Sequence, residues 1–342
     1  MQRRGFLAST AALAVRSGPQ PGPARLGVDL FSLRSQNWTP FEYLDFCARW
    51  KVKVVHFSEI RFLGGLEEAH LKKVRAHAES LGIETEIGMR SICPTSKLFD
   101  PRQGTAEEQL VRMTAAARAA GSRIVRAFLG SMEDRQGPIP IEGHIENTAQ
   151  VLRNVRSRVV DAGLKVAVEN HAGDMQAREL KMLIEEAGTD FVGACLDSGN
   201  PMWTIEDPHV TLETLHPYVL TSHVRDSAVW RVPEGAAVQW VRMGDGNVRI
   251  DDYVRDYLRL CPGRALSLEV IVIPSRTFSY LDPKFWDGYR NVRAWEFARF
   301  LALAEAGQPR KEPPPPARDL GAQREREDLE ASLRYVHRLL NL

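Results

Sequence analysis

A chain of 342 residues, 44% hydrophobic and 26% charged, has the make-up of an ordinary folded protein, long enough for two small domains or for one barrel with appendages. Its 45 Lys and Arg stand against 44 Asp and Glu, so the chain lacks the cationic excess of a protein that tracks a phosphate backbone. A small polar substrate suits it better than nucleic acid. No uninterrupted apolar run reaches membrane-spanning length, and Cys47, Cys93, Cys195 and Cys261 show no C-x-x-C spacing, which excludes a zinc ribbon or a disulfide framework.

At the N-terminus, Arg3 and Arg4 precede Gly5-Phe6-Leu7-Ala8 and an apolar stretch to Val15, with Ala12-Leu13-Ala14 as a small-x-small cleavage site. This is similar to a twin-arginine export signal and implies a periplasmic or exported protein; the alternative is a frayed basic terminus on a cytoplasmic one. Three prolines between residues 17 and 24 make an extended spacer, so residues 1–24 stand apart and the folded domain begins near Arg25.

From Arg25 the chain alternates short β-branched apolar runs with amphipathic stretches. The expected strands are Leu26–Phe31, Val52–Phe57, Ile83–Met89, Arg123–Phe128, Lys165–Glu169, Phe191–Leu196, Val219–His223 and Ala265–Val272. Expected helices include Leu66–Leu81, Ala106–Ala120 and Ile145–Ala162, each followed by a glycine (Gly82, Gly121, Gly163) where a left-handed C-cap belongs. Eight such units over residues 25–306 predict an α/β fold, a (β/α)8 TIM barrel, and no G-x-G-x-x-G follows the first strand to favour an open dinucleotide-binding sheet. The eighth helix is placed at Lys284–Ala306. Residues 307–342 then form a Pro-rich linker, with Pro313–Pro316 at its centre, and a C-terminal helical extension. This tail carries Leu329, Leu333, Val336 and Leu340 on one stripe, to pack on the barrel or on another subunit of a homo-oligomer.

Catalytic groups of such barrels stand at the C-terminal ends of strands. Here Val168-Glu169, Leu196-Asp197, Ser222-His223 and Leu268-Glu269 close four successive strands with a ligand-type residue in otherwise apolar sequence. Alternation puts Glu169 and His171 on one face of their strand. Three hard carboxylates and one imidazole suit a single divalent ion: Mn²⁺, Mg²⁺, Co²⁺ or Zn²⁺.

With these residues the chain resembles the xylose isomerase-like TIM barrels, the sugar phosphate isomerases/epimerases, over roughly residues 25–305. The phrases that carry the resemblance are Val168-Glu169-Asn170-His171, Leu196-Asp197-Ser198-Gly199-Asn200, His223-Val224-Arg225-Asp226 and Gly244-Asp245-Gly246-Asn247-Val248. It implies that Glu169, Asp197, His223 and Glu269 hold the metal and that Glu169 and Glu269 flank the substrate as acid/base groups. The chemistry implied is proton transfer on a small carbohydrate through an enediolate, giving isomerisation or epimerisation. Expulsion of a β-leaving group from the same enediolate would make a lyase or hydratase of an oxidised sugar, such as a 3-keto-glycoside or an inosose. A non-catalytic sugar-binding barrel is the third reading.

The chain departs from the tagatose and psicose 3-epimerases at two points. They have a His three positions after the metal Asp, where Asn200 stands, and an Arg six positions after the metal His, where Val229 stands. It also lacks the extra metal histidines of endonuclease IV. Further expected substrate-binding residues are His171, Asn200, Arg126, Arg225, Asp226 and Arg276, with Arg34, His56 and Glu59 as weaker candidates. Trp203, Trp230 and Trp286 are candidate platforms for a sugar ring.

Overall fold

The computed structural model describes residues 24–311 and 320–342, so the proposed export signal and most of the Pro-rich linker lie outside the described residues. Its strands are β1 (Arg25–Asp29), β2 (Val54–Phe57), β3 (Glu84–Ser91), β4 (Ile124–Phe128), β5 (Lys165–Glu169), β6 (Val192–Asp197), β7 (Val219–His223), β8 (Asp226–Val232), β9 (Gly235–Val241), β10 (Ala265–Leu268) and β11 (Arg276–Phe278). Eight of them form a parallel sheet in the order β10-β1-β2-β3-β4-β5-β6-β7. Between β7 and β10 the ring is joined by Val224 N–H donating to Ser267 O (2.7 Å) and Glu269 N–H donating to Val224 O (3.0 Å). The expected TIM barrel is present. Strands buried on both faces read as continuous apolar runs, and every residue of β4 and β6 is buried.

The punctuation works as the residue types dictate. Gly82, Gly121 and Gly163 adopt φ of +67°, +79° and +72° after their helices, a conformation that a side chain would strain. The first strand ends at Asp29, two residues before the expected Phe31. The Asp29 carboxylate accepts the Phe31 N–H at 2.7 Å and starts a 3-10 turn over Leu30–Leu33. The helix expected from Ile145 begins at Ile141, immediately after Pro140. The helix expected over Lys284–Ala306 covers only Ala294–Ala306. Ahead of it Asp282 caps a 3-10 turn, Pro283–Gly288, whose Trp286 indole donates to Tyr280 O, so this aromatic stretch folds onto neighbouring side chains and does not extend the helix.

Three strands were not anticipated. Strands β8 and β9 form a hairpin, and β11 adds to it to complete a three-stranded antiparallel sheet inserted after barrel strands β7 and β10. The eighth barrel strand accordingly stops at Leu268, short of the expected Val272, because the chain leaves the barrel to supply β11. This small sheet carries a second apolar cluster that includes Met202, Trp203, Val238, Trp240, Phe278 and Phe300.

Among the described residues no helix is long and apolar enough to cross a membrane. The tail helix Gly321–Leu340 docks on its own chain, burying Leu329, Leu333 and Val336 in the main core. Its Glu325 accepts from Ser35 N–H (2.9 Å), and its Asp328 pairs with Arg242 (2.5 Å). The tail therefore braces loops that follow β1 and β9.

One buried carboxyl sews the loop after β6 to the helix after β5. Glu206 accepts from Ala177 N–H (3.0 Å) and from the Thr211 hydroxyl (2.7 Å), and burial pushes its pKa up to about 7. The folded state thus holds this proton more tightly than the unfolded chain, and stability falls as pH rises from about 4.5 to about 7. Glu206→Gln removes the titration. Relative to wild type, the variant is expected to gain about 3 kcal/mol between pH 4 and pH 8, read from urea midpoints at both pH values, where any fixed cost of the amide cancels. An unchanged difference between the two proteins would mean that Glu206 does not titrate in this range.

Candidate active site

The ends of β5, β6 and β7 and the residue just beyond β10 deliver Glu169, Asp197, His223 and Glu269 to one point. Each offers a ligand atom, and these atoms lie within 4.8 Å of one another. All four side chains are buried. His223 Nδ1 lies 3.1 Å from Glu169 Oε2 and 3.3 Å from Glu269 Oε2, yet has no hydrogen-bond partner among the described residues. A buried nitrogen without a partner, facing carboxylate oxygens from neighbouring strands, fits a divalent cation of the kind that takes nitrogen and hard oxygen donors.

The other edge of the imidazole is braced. His223 Nε2 is 2.9 Å from His56 Nδ1 and 3.4 Å from Asp29 Oδ2, so partners on β1 and β2 orient the ring and fix which nitrogen faces the carboxylates. Asp29 is held in turn by the Ser58 hydroxyl at 3.0 Å. Burial pushes the Asp29 carboxyl up to about 7 and holds His56 well below the usual imidazole range. Nothing in the sequence singles out Asp29, because an acid closing a strand and capping a turn looks the same whether or not it also braces a histidine.

Two arginines lie against the acids. Arg126, on β4, pairs with Glu169 and donates to Met89 O at 3.2 Å. Arg225, two residues past His223, pairs with both Asp197 and Glu269 and lies over the Trp240 ring at 4.4 Å. Gly199 makes room for it, since a Cβ there would sit 2.3 Å from Arg225 Cγ. Burial alone would raise the Glu169 carboxyl, but Arg126 and His223 outweigh it and hold it well below the carboxylate range. The same opposition, with Arg225 and His223 prevailing, holds Glu269 at about 2. At Asp197 burial prevails over Arg225 and pushes the carboxyl up to about 7.

A cavity of about 280 Å³ opens above these groups. Phe31, Phe128, His171, Trp203, Trp240 and Ile271 give it apolar walls, while Glu269, Asn200, Arg90, Arg126 and Arg225 reach it as polar groups. Asn200 donates to Glu169 Oε1 at 3.1 Å, and its backbone N–H donates to Asp197 Oδ1 at 2.7 Å. His171 stacks on Phe128 (3.9 Å between centroids) with Nδ1 2.7 Å from Gly130 O, and burial lowers its pKa. Trp203 and Trp240 stack at 4.3 Å, forming one aromatic wall. Trp240 was not foreseen, because it belongs to the unanticipated hairpin.

Other expected residues lie elsewhere. Asp226 does not line the cavity: its carboxylate accepts the backbone N–H groups of Ser227, Gly244 and Gly246 at 2.8–2.9 Å, tying the hairpin to the loop that follows it. Arg276 stands over the Trp203 ring at 4.5 Å as a rim group. Arg34 pairs with Glu325 of the tail helix, and Glu59 lines the cavity but pairs with Arg61 at 2.5 Å. Trp230 lies in a separate cluster with Ala228, Ala237 and Val241, and Trp286 packs on Phe285 and Phe297.

Residues 44–270 match the family described as xylose isomerase-like TIM barrel. The chain belongs to that family. A curated relative, the 3-oxo-isoapionate decarboxylase of Pectobacterium atrosepticum, is 26% identical over 166 residues, 48% of this chain. The match spans about half (53%) of that relative's length. Among solved structures, a D-psicose 3-epimerase determined in the presence of D-fructose superposes with a TM-score of 0.57 at 14% identity, covering 92% of this chain and 99% of that one. The IolI protein with a bound zinc atom gives 0.56 at 14%, covering 81% and 96%. At these identities the superpositions establish a common fold.

In this xylose isomerase-like barrel, Arg126 is what makes a buried Glu169 carboxylate tolerable. Arg126→Met strips that charge of its guanidinium, leaving His223 and Asn200 beside it, and is expected to cost about 3 kcal/mol in urea unfolding of EDTA-treated protein, most of it recovered in Arg126→Met with Glu169→Gln. If the double variant is no more stable than the single one, the pair is not the source of the loss.

Proposed function

We propose that this protein is a divalent-metal-dependent carbohydrate isomerase or epimerase that moves a proton through an enediolate. The observation that carries this reading is the convergence of Glu169, Asp197, His223 and Glu269 within 4.8 Å at the mouth of the barrel. A bound divalent ion would supply the Lewis acidity that polarises a sugar carbonyl and steadies the negative charge of the enediolate. The chain supplies the rest. Trp203 and Trp240 offer the sugar a stacked aromatic wall, and the cavity above the acids is of the size of a small sugar. Glu269, which lines the cavity, takes the proton from the carbon next to the carbonyl. Glu169, whose carboxylate lies 3.1 Å from the same His223 Nδ1, is its counterpart: ionised at rest, it takes a proton from solvent and passes it to the enediolate carbon, while Glu269 releases its own to solvent. Asn200 and Arg126 hold the Glu169 carboxylate in place while this happens.

Return of the proton to the opposite face of the same carbon inverts that centre; return to the neighbouring carbon exchanges aldose and ketose. A second reading, bond cleavage, is favoured by the relative named as a decarboxylase. Loss of CO₂ from the carbon beside the carbonyl leaves its electron pair in the same enediolate, and expulsion of a β-leaving group with its bonding pair consumes that enediolate, so the same residues would serve a decarboxylase or lyase of an oxidised sugar. In the same proposal, the signal read at Arg3–Ala14 directs the folded, metal-loaded protein out of the cytoplasm.

About one divalent ion per chain is expected in protein offered Mn²⁺, Co²⁺ or Zn²⁺, and a sharp loss in Glu169→Gln with Glu269→Gln, measured by elemental analysis. With keto-sugars in D₂O, deuterium is expected at the carbon beside the carbonyl, slowed about 10²–10⁴-fold by Glu269→Gln alone. A chain that takes up none of the three ions overturns the metal-dependent reading. Release of CO₂ or of a leaving group, in place of inversion, decides for the second.

A further inference from the structure

We infer that the substrate is a sugar acid, whose carboxylate is held by Arg225 at the base of the cavity, an inference that rests on the carbohydrate reading above for where the sugar lies. Arg225 is 2% exposed and lines the cavity. Its Nη2 serves both Asp197 and Glu269, while its Nε and Nη1 are buried with no hydrogen-bond partner among the described residues. A guanidinium cannot neutralise itself by losing a proton, so unmade donors on a buried one are costly until an acceptor arrives. A neutral hydroxyl would satisfy such a donor; a charged oxygen does so about twice as strongly.

The position of this guanidinium is built, not incidental. It lies on Trp240, which is stacked on Trp203, and Gly199 leaves the space its stem fills. The backbone is fixed as well: Arg225 N–H donates to Ser198 Oγ (2.9 Å), and the Ser198 hydroxyl donates to Arg225 O (2.7 Å). The charges around the cavity point the same way. Of the two carboxylates that line it, Glu269 is engaged by Arg225 and Glu59 by Arg61, whereas the third guanidinium on the wall, Arg90, reaches only Glu59, at 3.8 Å. Arg126 and Arg225 are matched by Glu169, Asp197 and Glu269, so the cation left to spare on the wall is Arg90. The two unpartnered donors, Nε–H and Nη1–H, leave different edges of the guanidinium, so each takes a single oxygen, and a singly charged carboxylate supplies a charged acceptor without the second charge of a phosphate dianion.

The test pairs each acid with its uncharged counterpart: D-gluconate with D-glucitol, D-xylonate with xylitol, L-threonate with L-threitol. Binding is measured by calorimetry on EDTA-treated and on Mn²⁺-loaded protein. At least one aldonate is expected to bind ten-fold or more tightly than its alditol in both states, and the preference is expected to fall below three-fold in Arg225→Gln. Because Arg225→Gln disturbs two buried acids and could fail to fold, Arg90→Gln is run beside it, with a drop in preference of about three-fold expected. No aldonate preferred over its alditol by wild type, or a preference unchanged in every folded variant, overturns the inference. So does D-fructose 6-phosphate binding more tightly than every aldonate. A carboxylate preference that persists in protein unable to take up metal would refute the metal-dependent reading and leave the carboxylate site standing.

Discussion

Three carboxylates, from the ends of β5 and β6 and the residue after β10, approach one another in a buried pocket, and the rest of the site is organised around that fact. Two like charges about 4 Å apart cost on the order of 4 kcal/mol at an effective dielectric of 20, so the acids can share the pocket only with cations beside them. The chain provides two permanent ones. Arg126 comes from the strand preceding Glu169 and faces it across the β4–β5 pair; Arg225 comes from the residues after β7 and spans Asp197 and Glu269. Together with His223 they hold Glu169 and Glu269 ionised in spite of full burial. Acids kept ionised are acids that can take a proton or a cation, which ties the electrostatics of the pocket to what it can do.

The cations in turn depend on features remote from the acids in sequence. Arg225 would have no bed without Trp240, and Trp240 is presented by a hairpin that exists because Pro233-Glu234 links two strands in full antiparallel register. That hairpin is anchored at its base by Asp226, whose carboxylate gathers three backbone N–H groups. Close packing around Asp226 leaves no space for a side chain at residue 246, where a Cβ would fall 2.2 Å from its Oδ1. The phrase Gly244-Asp245-Gly246 is thus a structural clasp for the wall of the cavity.

How much of this was legible follows from which signals are local. The eight barrel strands announce themselves by apolar runs buried on both faces, and their ends by the polar residues that interrupt them, so Glu169, Asp197, His223 and Glu269 stand out of the sequence without any structure. His171 and Asn200 follow by parity and proximity. The hairpin did not stand out, although Ala228–Val232 and Ala236–Val241 flank a Pro-Glu-Gly turn, because a barrel count of eight was already complete without it. Asp226 differs from the expectation for a related reason: adjacency to His223 and Arg225 in sequence says nothing about direction, and its side chain turns to the loop. Asp29 and the His56 ring show the limit most plainly, since their role depends on ring closure bringing β1 and β2 close to β7, at the other end of the strand order, a relation no local pattern encodes.

The division of labour between strands and loops explains why a fold shared at 14% identity with a sugar epimerase leaves the reaction open. Strand ends supply Glu169, Asp197 and His223, and strand ends in a barrel vary little in position. The groups that meet the remainder of a substrate come from segments beyond the strands: Trp203 from the turn after β6, Arg225 and the Trp240 hairpin after β7, Ile271 after β10. A proton-transfer centre of one kind can therefore be retained while the loops change which molecule is presented to it, and which bond lies next to the carbonyl when it arrives. In this chain the loops present an aromatic wall with a guanidinium fixed against it, where the 3-epimerases place a histidine and an arginine at the positions of Asn200 and Val229. Val229 here packs in the apolar cluster of the inserted sheet, away from the acids. At that position the chain has packing, and the guanidinium against Asp197 and Glu269 comes from Arg225, four residues earlier.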